Sequence, residues 1–346
     1  MKFGIDKKYL IDAFKRIVET PSPVGYYVKL NPVFKEMAAE LGLEVSFDNK
    51  NTAYITLEGE DNSKTVLIGA HADTVGFVVR CIDSNGMLSL RKIGGIAMSS
   101  AEGETVRVFT RDGREYTGLV ICKSHSVHVF DDAHTLVRDE NTLKVLLDEK
   151  VSTKEEVKAL GIQSGDFIAL EPRMQVTDNG YLKSRYIDDK GAVACCFAAL
   201  KYIKENGLKP KYKTLIAFPY YEEIGLGGTY VPEGVSEYVA VDIGLIGPEN
   251  EGNEYSVSIC AKDASAPYDY ELTSRIIDYA KKAECDYVVD TYYRYGTDAN
   301  AAVRAGNNLK QATFGMAVYC SHGMERTHIS GLSGTANLIL AYMLDI

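Results

Sequence analysis

The sequence predicts an α/β fold with a mixed, largely parallel sheet, helices on both faces and an inserted small all-β domain. Three observations carry this. An uninterrupted apolar strand at Thr65–Ala70 is of the kind buried on both faces of an α/β sheet. Strand and helix patterns alternate again after Gly180, which implies parallel strands joined by crossover helices. Between them, from about Phe77 to Pro172, the texture changes to short alternating strands with turn signals such as Asp112-Gly113.

In chain order, Leu10, Ile11, Phe14, Ile17 and Val18 share one face of a first helix that stops before Pro21. A second helix is expected to begin at Asn31-Pro32, with Asn31 as cap and Pro32 at the first helical position, and to end at Gly42. A hairpin turning near Asp48 to Asn51 leads into the Thr65–Ala70 strand, with His71 at its exit. After the β segment, a helix from Gly191 to Glu205 packs Val193, Cys196, Phe197, Leu200 and Ile203 and ends at Gly207. Strands follow at Thr214–Pro219, Tyr238–Val241, Tyr255–Ala261, Tyr287–Tyr292 and Ala312–Val318, with helices near Tyr270–Ala283 and Gly334–Leu344. Residues 1–76 and 173–346 would then form one catalytic domain, and 77–172 a β-barrel-like insertion concerned with assembly and access.

The chain has 346 residues, with 48 acidic against 38 basic side chains and a formal charge of -10. Its Lys and Arg are scattered instead of forming a stripe, which argues against nucleic acid as a partner. No window approaches the ~18 consecutive apolar residues of a membrane span, and the N-terminus carries no signal-like apolar run. The expectation is a soluble, cytoplasmic protein. Seven Cys in no regular framework read as reduced and mostly buried thiols.

Chemistry is concentrated at predicted strand ends. In extended backbone, residues two apart point to the same side, so His71 and Asp73 can face one pocket. Asp188 and Asp189 precede a helix, where capping accounts for one carboxylate and leaves the other for a cation. Glu222 and Glu223 are adjacent beside an apolar strand end, where two carboxylates repel unless a cation neutralises one. One could hold metal while the other acts as base. Asp242 closes the Tyr238–Val241 run, at the edge where open α/β sheets bind ligands. His322 and His328 compete for the remaining ligand position. His322, in the loop after a strand, is the expected ligand, and His328 is expected to approach a helix. His125, His128 and His134 lie in the β segment and are expected to be surface or structural. A His and carboxylate set without Cys suits zinc, with cobalt and manganese as alternatives. Five ligands with a shared Asp suit two divalent ions about 3.5–4 Å apart.

These segments resemble the dinuclear metallo-aminopeptidases of metallopeptidase family forty-two, the glutamyl and deblocking aminopeptidases that assemble as tetrahedral dodecamers. The matching pieces are His71-Ala-Asp73-Thr-Val-Gly76, Asp188-Asp189-Lys-Gly191, Glu222-Glu223-Ile-Gly225-Leu-Gly227-Gly228, Val241-Asp242 and Gly296-Thr297-Asp298-Ala299. Gly118-Leu-Val-Ile-Cys-Lys123 and Gly165-Asp166 extend the likeness into the insertion. The resemblance implies that His71 and Asp242 bind one metal, that Glu223 and His322 bind the other, and that Asp188 bridges. Glu222 would be the general base, supported by Asp73. It also implies peptide substrates opened from the amino terminus, and a homo-oligomer, a dodecamer by likeness. Two departures stand out. Cys320-Ser321 replace the family's Arg-Tyr pair before the His, and Glu325 follows His322 by three residues where the family has four. Ile243 to Gly252 also differs from the family's substrate pocket. The rival readings are a carboxypeptidase or N-acyl-amino-acid deacylase of related fold, and a catalytically inactive scaffold or binding protein.

Overall fold

In the computed structural model, which describes residues 2–346, the chain divides into two compact units. One is Met1–Thr74 with Arg173–Ile346, and the other is Val75–Pro172.

The larger unit is built on a nine-stranded sheet. Its strands run in the order Ser46–Phe47, Ala53–Leu57, Tyr212–Phe218, Asp61–Gly69, Val235–Val241, Lys310–Val318, Val257–Lys262 and Tyr287–Thr291, and Gly244–Leu245 pairs off the Lys310–Val318 strand. The central strands are parallel: Asp61–Gly69 pairs in parallel with Tyr212–Phe218 and with Val235–Val241, which in turn pairs in parallel with Lys310–Val318. Ala53–Leu57 and Val257–Lys262 enter antiparallel, so the sheet is mixed but parallel at its core. This puts the ends of three neighbouring strands side by side, and the acidic motifs follow them directly.

The first helix, Lys7–Val18, is capped by Asp6, whose side chain accepts from the Tyr9 N–H at 3.0 Å. It buries Leu10, Phe14, Ile17 and Val18, the face its spacing predicts. The second helix, Leu30–Glu40, departs from expectation. Lys29 stands at the N-cap without a side-chain capping bond, because the Asn31 side chain is engaged elsewhere and accepts from the Tyr220 hydroxyl at 2.8 Å. Pro32 still falls in the first turn, where a missing N–H costs nothing. The helix from Ile187 to Glu205 is helical in backbone only after Asp189, since Asp188 and Asp189 have non-helical dihedrals joined by a cis peptide bond. The last helix, Ile329–Leu344, is buried over almost its whole length and begins earlier than its apolar run suggests.

Among the elements that escape sequence reasoning are a helix and a small sheet of the larger unit. A helix at Asp298–Arg304 is too short to show a period. A three-stranded sheet joins Gln175–Val176, Tyr181–Ser184 and Glu325–His328, and its strands are too short and too polar to read as strands.

The smaller unit is a closed barrel with strand order Gly76–Ile82, Leu88–Ile93, Leu143–Leu147, Glu115–Cys122, Thr105–Phe109 and Phe167–Leu170. Closure leaves no free edge, the usual solution for a small antiparallel sheet. A short helix, Lys154–Ala159, carries a capping box between Thr153 and Glu156. His125, His128 and His134 are exposed in this unit. Of the seven thiols, all free, four are buried, while Cys81 and Cys320 are exposed. Among the described residues, no helix is long and apolar enough to cross a membrane.

Candidate metal centre

The parallel strands deliver side chains to one end of the sheet. His71 follows the Asp61–Gly69 strand, Glu222 and Glu223 follow Tyr212–Phe218, and Asp242 follows Val235–Val241. His322 follows Lys310–Val318, and Asp188 enters from the start of the Ile187–Glu205 helix.

Asp188 is central. One carboxylate oxygen lies 3.1 Å from His71 Nε2, and the other lies 3.5 Å from His322 Nε2 and 3.3 Å from the Ser321 hydroxyl, which donates to it. His322 Nε2 also meets Glu223 at 3.2 Å, and His71 Nε2 lies 3.8 Å from Glu222. The His71 ring is oriented from behind by the Asp73 carbonyl, 3.0 Å from Nδ1, which leaves Nε2 facing the pocket. Ligand atoms of His71, Asp188 and Glu223 lie within 4.8 Å of one another, as do those of His71, Asp189 and Asp242.

A further group of buried carboxylates grips the backbone of these residues. The His71 N–H donates to Asp189 at 3.1 Å. The N–H groups of Glu222 and Glu223 donate to the two oxygens of Asp73, at 3.1 and 3.2 Å. Those of Asp188 and His322 donate to the two oxygens of Glu325, at 3.0 and 3.2 Å. The Gly228 N–H donates to Asp298 at 2.6 Å. A Cβ on Gly228 would stand 1.9 Å from the Asp298 backbone oxygen, so only glycine allows this approach. Asp73 therefore holds the backbone of both glutamates, and one of its carboxylate oxygens also lies 3.6 Å from His71 Nδ1. The capping role argued for one Asp of the Asp188-Asp189 pair is replaced by this grip on His71.

Electrostatics follow from burial. Glu222 is pushed well above the usual carboxylate range, chiefly by burial, and burial likewise lifts Glu223 to about 8 and Asp242 to about 7. Asp188 goes the other way: burial would raise it, but hydrogen bonds to His322 and His71 hold it below its ordinary value. Burial disfavours imidazolium at His71, and Asp188 and Asp73 outweigh this and hold its pKa well above the ordinary value. Two imidazoles thus stand among more carboxylates than they can neutralise, and Asp189 Oδ1 is buried without a partner. Such a pocket fits divalent cations, and its nitrogen and oxygen donors without thiolate fit zinc, cobalt or manganese.

Of the predicted residues, His71, Asp73, Asp188, Glu222, Glu223, Asp242 and His322 all come to this pocket. His328 does not. It caps the last helix through Nδ1, which accepts from the Ser330 N–H at 3.1 Å, while Nε2 lies 2.8 Å from the Asn179 carbonyl. Sequence reasoning missed Asp189 and Glu325 as members of the cluster. Adjacency to Asp188 and His322 was the available signal, and it does not reveal which backbone a carboxylate will reach.

Buried His and carboxylate side chains gathered at one end of a parallel sheet fit a metal-dependent hydrolase. The chain belongs to the M42 glutamyl aminopeptidase family, whose model matches residues 51–338. It is similar to the protein YhfE of Bacillus subtilis (strain 168), with 37% identity over 334 residues that cover 96% of each chain. It is also similar to the lysyl aminopeptidase of Pyrococcus furiosus, with 23% identity over 297 residues, 84% of this chain and 83% of that one. Among solved structures, the TET aminopeptidase of the marine sediment archaeon Thaumarchaeota archaeon SCGC AB-539-E09 superposes with a TM-score of 0.86 at 20% identity, covering 97% of each chain. The Pyrococcus horikoshii TET1 peptidase, which can assemble into a tetrahedron or a large octahedral shell, gives 0.85 at 22% identity over 97% of this chain and 100% of that one.

Proposed function

We propose that this enzyme is a di-metal aminopeptidase that releases amino-terminal residues from peptides. The observation that carries the reading is Asp188, whose two carboxylate oxygens face His71 and His322 separately. His71 and Asp242 would hold one divalent ion, Glu223 and His322 the other, and Asp188 would be shared. Zinc suits the donor set, with cobalt and manganese as alternatives. Two such ions, when bound, polarise a peptide carbonyl and make a water molecule acidic near neutral pH.

Glu222 is the proposed general base. Its carboxylate faces His71, and burial raises its proton affinity, so it can take a proton from the attacking water and return it to the departing amine. Asp73 holds the Glu222 backbone and thereby the direction in which that carboxylate points. His71, with Nδ1 held by the Asp73 carbonyl, presents only Nε2 to the pocket.

The Val75–Pro172 barrel carries none of the proposed ligands and is assigned to assembly and access. A homo-oligomer, dodecameric by likeness to the tetrahedral peptidases, fits the shared fold, and the cytoplasm fits a chain of this composition. The test is a release assay over a panel of aminoacyl substrates, with zinc, cobalt or manganese added back to chelated enzyme. Metal-dependent release of the first residue is expected. Release from the carboxyl end, or equal cleavage of N-acetylated peptides, would favour the carboxypeptidase or deacylase instead.

A further inference from the structure

We infer that Glu325 is a positioning residue for one cation of the proposed pair, the one on the Glu223 and His322 side. The inference rests on the two-cation reading above.

The local fold explains how Glu325 arrives there. The Glu325–His328 strand pairs antiparallel with Tyr181–Ser184, and Glu325 stands opposite Ser184. Four residues beyond Ser184 the chain reaches Asp188, so this pairing sets the Glu325 carboxylate beside the start of the Ile187–Glu205 helix. On the other side, Glu325 closes the short loop that begins at Ser321, and its reach back over three residues finds the His322 N–H. One buried carboxylate therefore spans two segments that are 134 residues apart, counted from Asp188 to His322.

Both bonds are to backbone, so the Asp188 and His322 side chains can face each other at 3.5 Å. His322 needs this support. Its φ of 64° lies in the left-handed region, which a residue with a Cβ adopts only when its surroundings hold it there. Glu325 supplies the acceptor for the N–H of that strained residue. The His71 side is held differently, because the His71 N–H goes to Asp189 and Asp242 accepts from the Ile243 N–H at 2.7 Å. Removing Glu325 should thus loosen the His322 half of the pocket, where it holds both Asp188 and His322, more than the His71 half, which it reaches only through Asp188.

The experiment is chelator competition with zinc on the purified full chain, comparing wild type, Glu325→Gln and Glu325→Asp. The Gln side chain keeps the size but offers one acceptor oxygen for two N–H donors. The Asp side chain keeps the charge but is one methylene shorter. For Glu325→Gln we expect one ion held within about threefold of wild type and the other weakened about 10–100-fold, the usual effect of losing a residue that orients a ligand. Glu325→Asp should weaken the same ion, and it carries the measurement if the Gln variant does not fold. Turnover should fall with little change in KM and recover at raised zinc. Two ions held as tightly as in wild type, or both weakened alike, would overturn the role of Glu325 while leaving the two-cation reading intact. A wild-type chain that holds fewer than two ions would overturn both.

Discussion

Asp73 fixes Glu222 through the main chain, accepting its N–H at 3.1 Å, and the same carboxylate accepts the Glu223 N–H at 3.2 Å. One residue thus sets the direction of both neighbouring glutamates. Asp73→Asn leaves one acceptor oxygen for two donors, and turnover is expected to fall about 10–100-fold, the range seen when a partner behind the ligands is lost. Steady-state kinetics together with metal content decide the matter, since bound metal is expected to drop less than turnover. An unchanged rate would show that the glutamates hold their positions without Asp73.

Glu222 and Glu223 should separate by experiment. Glu222→Gln is expected to keep its metal and lose on the order of 10²–10⁴ in rate, the size of a general-base contribution. Glu223→Gln is expected to lose metal. Elemental analysis of both variants, set beside their kcat values, tests the assignment, and the opposite pattern would exchange the two roles.

Chelation should abolish turnover, and added divalent metal should restore it. Asp188→Ala should lower bound metal more than any other single ligand change, because its two oxygens face both imidazoles. Full turnover by protein shown by elemental analysis to be metal-free would remove the two-metal mechanism.

Away from the site, Glu237 makes stability depend on pH. It is buried, its side chain meets Lys64 at 2.6 Å and accepts from the Tyr342 hydroxyl at 2.9 Å, and Arg275 also pairs with it. Burial raises its pKa, but Arg275 and Lys64 outweigh this and hold it below the ordinary 4.5. A lowered folded-state pKa contributes stability above the unfolded value, and that contribution is lost as pH falls through the folded one. Glu237→Gln should therefore cost about 1.5–3 kcal/mol near neutral pH, the range for a hydrogen bond to a charged group. The difference from wild type should shrink below about pH 4.5. Chemical denaturation at pH 7 and pH 4 checks this, and a gap that widened in acid would contradict it.

The fold and the candidate site were legible to different depths. The parallel core was readable because its strands are continuous apolar runs, and the residues that close them, His71, Asp242 and His322, inherit their place from that pattern. Asp188, Glu222 and Glu223 were readable as residues, while their roles depended on likeness to a family. The cap at Asn31 failed because Tyr220, distant in sequence, recruits its side chain, a tertiary contact that local propensity cannot express. Glu325 was visible only as a spacing that departs from the family. Its grip on Asp188 depends on the pairing of two four-residue strands, too short to carry a period. Asp298, named only within the Gly296-Thr297-Asp298-Ala299 match, holds the Gly228 backbone, and one of its oxygens is buried without a partner.

The barrel formed by Val75–Pro172 pairs its first strand with its last, Phe77 opposite Ile168 and Val78 opposite Phe167. Its two ends are therefore brought together by its own hydrogen bonds. For a growing or refolding chain, the walk from His71 to Asp188 is long while the barrel is unformed and short once it has closed. The entropy of joining them falls accordingly, by about 0.6 kcal/mol for each halving of the effective loop. A barrel that folds early would act as an internal splint for the pocket, and a substitution that slows its closure would delay the meeting of His71 and Asp188 without touching either.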